Sequence, residues 1–70
     1  MEDVEYTLLD KVEALTLLLN KALKVSVDVE SRIPYYLNAK TYAVKLKRML
    51  ENAVKLSSEI FEEFRKASNR

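Results

Sequence analysis

Apolar residues recur at three- and four-residue intervals over the first thirty positions: Val4, Leu8, Val12, Leu15, Leu18, Leu19 and Ala22, then Val25 and Val29. That spacing marks one face of an α-helix, and Leu17 and Leu23 widen the stripe. Asp3 suits an N-cap, with Glu2 and Glu5 near the positive helix start and Lys21 and Lys24 toward the negative end. The stretch Val25-Ser26-Val27-Asp28-Val29 reads two ways. It alternates like a strand, and valine favours strands, but Val25 and Val29 also keep the helical register. A lone strand would need a partner that only a second copy could offer, so the helix is the preferred reading.

The pattern breaks between Glu30 and Pro34. Proline biases Ile33 away from the helical region, and Pro34 itself is tolerated in a first helical turn. Ser31 is a candidate cap for that turn. Beyond it lies the clearest signal in the chain. With Tyr36 at heptad position a, the a positions read Tyr36, Ala43, Leu50, Ser57 and Phe64, and the d positions read Ala39, Leu46, Ala53, Ile60 and Ala67. Each heptad pairs one small residue with one large one, and the outer positions are mostly polar. Alanine on a seam lets helix axes approach while the larger neighbour fills the space beside it. A second apolar edge runs through Tyr35, Tyr42, Met49 and Leu56, and a third through Val54 and Phe61. A lone hairpin would leave much of this in water.

The sequence therefore predicts an all-α antiparallel hairpin in one domain, 1–70: helix 1 about 3–29, turn about 30–33, helix 2 about 34–67, with the tail Ser68-Asn69-Arg70 fraying. It further predicts that two hairpins join as a four-helix bundle, with Tyr36, Ala39, Ala43, Leu46, Leu50, Ala53, Ser57, Ile60 and Phe64 as helix 2 seam and dimer core.

Composition narrows the remaining options. A chain of 70 residues has a small core and needs a staple, and with no Cys and no His neither disulfides nor zinc sites built on thiolate or imidazole can supply it. Association is the staple left. No Gly means no phosphate-cradling glycine loop. No apolar run reaches the roughly 20 residues of a membrane span. The acidic start is unlike a signal peptide, so a cytoplasmic protein is expected, with no membrane and no cofactor.

Catalysis finds little support. Glu59, Glu62 and Glu63 read as a solvated face pairing with Arg65 and Lys66, and Ser57 and Ser58 have no histidine base. Ser57 reads as a small seam residue whose hydroxyl bonds back to its own helix. Tyr35, Tyr36 and Tyr42 beside Arg32 and Lys40 could stack bases, but an amphipathic ring at the bundle end is the simpler reading. Charge is the one functional hint. Residues 1–30 hold seven acids and three bases, and residues 31–70 hold nine bases and four acids. Lys40, Lys45, Lys47, Arg48 and Lys55 form a basic stretch on helix 2, a candidate partner or nucleic-acid surface, with Lys45, Arg48 and Lys55 on the exposed face. Mutual neutralisation with acidic helix 1 is the plainer explanation.

The small and large residues paired at a and d, in a short helix-turn-helix chain, resemble the Rop family of RNA-binding proteins. The resemblance implies an antiparallel four-helix bundle of two hairpins. Rop-type RNA contacts lie largely on the first helix, which is acidic here, so that assignment does not carry over. Length and hairpin pattern also resemble the small dimeric helical-hairpin proteins of crenarchaeal spindle-shaped viruses, which implies an adaptor role. The expected function is thus a non-enzymatic homodimeric adaptor or regulator acting on another protein. The alternative is an RNA- or DNA-binding regulator using the basic stripe.

Overall fold

The computed structural model describes residues 4–68, which form two α-helices, α1 (Val4–Arg32) and α2 (Asn38–Ser68), packed antiparallel. No strand occurs among the described residues, and Val25 to Val29 are helical. With no partner strand beside them, these valines follow the helix whose register they already keep. The expected cap Asp3 and the end residues Asn69 and Arg70 lie outside the described residues.

The turn sits later than the sequence suggests. The sequence places it at about 30–33 with Pro34 opening helix 2; in the structure α1 continues to Arg32 and the connection spans 33–37. Local bonds explain the extra turn of α1. Ser31 Oγ donates back to the Asp28 carbonyl at 2.7 Å rather than capping α2, and Arg32 Nε meets Asp28 Oδ2 at 3.1 Å. Arg32 also places a cation at the negative end of the helix dipole. The Ile33 N–H closes on the Glu30 carbonyl at 3.2 Å, and the restriction that Pro34 imposes on Ile33 then ends the helix. Pro34 starts a β-turn, in which the Leu37 N–H donates to the Pro34 carbonyl at 3.1 Å across Tyr35 and Tyr36. The Lys40 N–H bond to the Leu37 carbonyl, at 3.0 Å, then opens α2. No described residue has a positive φ, so the turn needs no glycine.

The helix contact is a seam of alternating three- and four-residue steps. On α1 it runs through Leu9, Val12, Thr16, Leu19, Leu23 and Ser26 and continues to Glu30 and Ile33. On α2 it follows positions a and e: Lys40, Ala43, Lys47, Leu50, Val54, Ser57, Phe61 and Phe64, with Val44 and Ser58 at its margin. The two most enclosed side chains are serines, Ser57 at 4% exposure and Ser26 at 5%. Small residues there let the helix axes come close. No apolar side chain among the described residues is fully buried.

Shape carries the same message. The Cα envelope measures 55 × 15 × 12 Å with a radius of gyration of 16.0 Å, against about 11 Å for a compact domain of this length. The accessible surface is 5692 Å², against about 4,500 Å² for a folded monomer of this mass. Two helices make a single layer, and a layer has no interior.

Candidate interaction surface

Rotation about each helix divides the hairpin into two unlike faces. Next to the seam on one side, α1 presents Leu8, Leu15, Leu18, Ala22, Val25 and Val29. On the same side α2 presents its d and g positions: Ala39, Tyr42, Leu46, Met49, Ala53, Leu56 and Ile60. These stay open: Leu18 is 63% exposed, Met49 66% and Leu56 60%. Between the helices on this face runs an apolar groove of about 470 Å³ lined by Ala22, Val25, Val29, Ala43, Leu46 and Leu50. Ser26 also lines it, and its Oγ has no hydrogen-bond partner.

The opposite face is polar. Its exposed large apolar residues, among those described, are Leu17 and Val27. A smaller recess of about 180 Å³ there is lined by Glu13, Thr16, Leu17, Ser58, Phe61 and Glu62. Arg65 arches over it, with its guanidinium 5.9 Å from the Phe61 ring centre and Nη2 3.2 Å from Glu62 Oε1.

Of the nine residues expected as seam and dimer core, Ala43, Leu50, Ala53, Ser57 and Phe64 turn at least partly toward α1. Tyr36, Ala39, Leu46 and Ile60 remain exposed. Position e, not d, completes the contact with α1, so the d row belongs to the open face. On α1 the apolar stripe read from the sequence shares only Val12, Leu19 and Leu23 with the contact seam. The rest of it is open as well, apart from Val4, whose side chain is outside the described set. What the pattern hid is that the α1 seam includes Thr16, Ser26 and Glu30, which a count of apolar residues passes over. Their seven-residue spacings, Leu9-Thr16-Leu23-Glu30 and Val12-Leu19-Ser26-Ile33, were the available signal.

The polar seam residues are not idle. Thr16 Oγ1 donates to the Val12 carbonyl at 2.9 Å, so its remaining role toward Ser57 Oγ is to accept, and Ser57 donates across the seam. This corrects the expectation that Ser57 bonds to its own helix. At the loop end Glu30 stands between two lysines. Lys40 Nζ lies 2.8 Å from Glu30 Oε2 and 2.6 Å from the Glu30 carbonyl, and Lys47 Nζ lies 3.4 Å from Oε1. The hydrogen bond from Lys40 holds the Glu30 carboxyl below its ordinary pKa; the charges of Lys40 and Lys47 act the same way, and partial burial opposes them.

That cluster divides the five basic candidates. Lys40 and Lys47 are half-buried and tie the helices together, while Lys45, Arg48 and Lys55 are exposed on the far side of α2. Lys45 Nζ sits 5.9 Å from the Tyr42 ring centre, a cation–π distance. Arg48 and Lys55 form no ion pair with a described residue. At the turn, Tyr35 and Tyr36 pack edge to face at 5.8 Å, with Tyr35 88% exposed.

Among the described residues no three His, Cys, Asp or Glu side chains gather as a metal site, and no helix is long and apolar enough to cross a membrane. Comparison with protein-family models, with curated proteins and with solved structures found no match.

Proposed function

We propose that this chain is a non-enzymatic adaptor or regulator that works in the cytoplasm as a homodimer, two hairpins closing one Rop-like four-helix bundle that engages another protein. One observation carries the reading: a hairpin with no fully buried apolar side chain among its described residues gathers most of its exposed large apolar side chains on one side. The surface in excess of a compact monomer is about 1,200 Å², and a standard interface needs about 800 Å² from each partner. Large contiguous exposed apolar patches mark association sites. The alternative, a nucleic-acid regulator, is weakened because Lys40 and Lys47 are committed to Glu30, leaving Lys45, Arg48 and Lys55 as the free cations of the stripe.

Two measurements test the reading. Light scattering on a sizing column should give twice the 8.1 kDa chain mass. Fluorescence anisotropy with structured RNA, single-stranded DNA and duplex DNA should give weak, unselective binding, on the order of 10⁻⁴ to 10⁻⁶ M at physiological salt. A fully helical monomer would sink the assembly. Nanomolar binding to one nucleic acid, lost in a Lys45, Arg48 and Lys55 triple alanine variant that still dimerises, would replace the adaptor with the regulator.

A further inference from the structure

We propose that the recess on the polar face receives an arginine side chain of the partner protein, and that Arg65 holds the site in its absence. This rests on the adaptor reading and adds where the partner touches and by what chemistry. The dimer proposed above closes the open face, so the polar face of each hairpin stays outward.

The recess follows from the order of residue sizes. Thr16 on α1 and Ser58 on α2 are small, and the larger Leu17 and Phe61 stand beside them. The space left is about 180 Å³. That is room for one side chain, since pockets for whole small molecules begin at about 300 Å³.

Its lining has the parts of a guanidinium site. Phe61 offers an aromatic ring, and cations are drawn to a ring face. Leu17, 59% exposed, gives the apolar stem of an arginine a wall to lie on. Glu13 and Glu62 supply one carboxylate from each helix. A carboxylate takes a guanidinium through two parallel hydrogen bonds. A planar, weakly hydrated cation also suits an aromatic and aliphatic lining better than a strongly hydrated ammonium does.

The structure already holds this chemistry within one helix. The Arg65 guanidinium stands 5.9 Å from the Phe61 ring centre, and its Nη2 lies 3.2 Å and 3.4 Å from the two oxygens of Glu62. Arg65 answers only its own helix, however. Glu13, across on α1, forms no ion pair with a described residue. The Arg65 side chain is also 56% exposed, and an ion pair that open is weak and easily exchanged.

Charge sets the sign of the occupant. Asp10 continues the α1 edge one turn before Glu13, so three carboxylates, those of Asp10, Glu13 and Glu62, gather around one guanidinium. Lys55 and Lys66 border Glu62 from the outer edge of α2, in a separate recess. A second guanidinium, entering against Phe61 and Glu13, completes what Arg65 leaves open.

The test titrates the full chain with a capped five-residue peptide, one arginine flanked by leucines, and follows the Leu17 methyl and Phe61 ring signals by NMR. The same peptide with citrulline, a neutral isostere of arginine, is the control. Saturable shifts with arginine and none with citrulline are expected. Arg65→Gln should tighten binding by about threefold by freeing Glu62 and Phe61, and Glu13→Gln should weaken it by about threefold. Equal shifts with citrulline, or Arg65→Gln binding no better than the parent, would overturn the site. Free arginine amide binding as tightly as the peptide would overturn a protein as the source. An assembly larger than a dimer that Glu13→Gln breaks would assign the recess to a further copy of this chain. Sedimentation of the same samples separates the two readings. A dimer without these shifts loses only the recess, and a monomer that shows them loses only the dimer.

Discussion

Ser26 and Ser57 are alike in size and burial and opposite in bonding. Ser57 donates to Thr16 across the seam, whereas the Ser26 hydroxyl is enclosed and unpaired. Removing one partner of a hydrogen bond costs about 1 kcal/mol, and removing an unpaired buried polar group costs nothing or stabilises. Thermal melts should therefore show Ser57→Ala lower in Tm and Ser26→Ala unchanged or higher; equal losses would contradict the assigned bonds. Neither difference was legible in the sequence, because both serines simply look small. Glu30 is the other residue whose role only the fold discloses. Its carboxyl pKa is lowered in the folded state, so its contribution to stability is complete above the unfolded value of about 4.3 and is lost as pH falls through the lower folded value. Denaturant melts from pH 6 to pH 3 should show a shallower acid loss in Glu30→Gln than in the parent chain. An identical pH profile would mean that the Lys40 and Lys47 contacts are not kept in solution.

Each helix was legible as a helix, and each boundary at the turn was not. Periodicity reports a face that extends over many residues, so it survives a few misleading positions such as the Val25 to Val29 alternation. The end of α1 depends on Asp28 answering Ser31 and Arg32, a local arrangement that no periodic count contains. The heptad of α2 is legible as a repeat, but it has three apolar edges, and the sequence offers no rule for which edge goes to which neighbour. The structure gives a and e to α1 and leaves d and g open. Bulk should accordingly matter differently around α2. Ala43→Leu and Ala53→Leu add volume beside the seam and should each cost about 1–3 kcal/mol, while Thr41→Leu on the outer side should cost much less. Equal melting of all three would refute the assigned faces.

At the level of the whole molecule, the open face is where the proposed dimer would close. A charge placed on it should act through assembly. Leu56→Lys and Met49→Lys should shift the dimer toward monomer in sedimentation runs, with loss of helical signal on dilution. Leu17→Lys, on the polar face, should leave the association unchanged. If Leu17→Lys disrupts the assembly and Leu56→Lys does not, the faces are interchanged. The parent chain should also melt at a temperature that rises with its own concentration, as an obligate pair requires. A surplus of apolar edges is legible in the sequence; which of them stays open is not, because that follows from which edge the hairpin consumes first.

A single layer of two helices, 15 × 12 Å in section, has no interior to shelter its backbone. Transient opening of such a hairpin exposes nearly all of its peptide bonds at once, so a lone copy offers proteases few protected sites. If the second copy supplies the missing shelter, survival depends on encounter, and the fraction protected rises with the amount present. Newly made chains at low abundance would be cleared quickly, and those above the pairing threshold would persist. Turnover rate, measured by pulse-chase at graded expression, should then fall as the cellular level of the chain climbs.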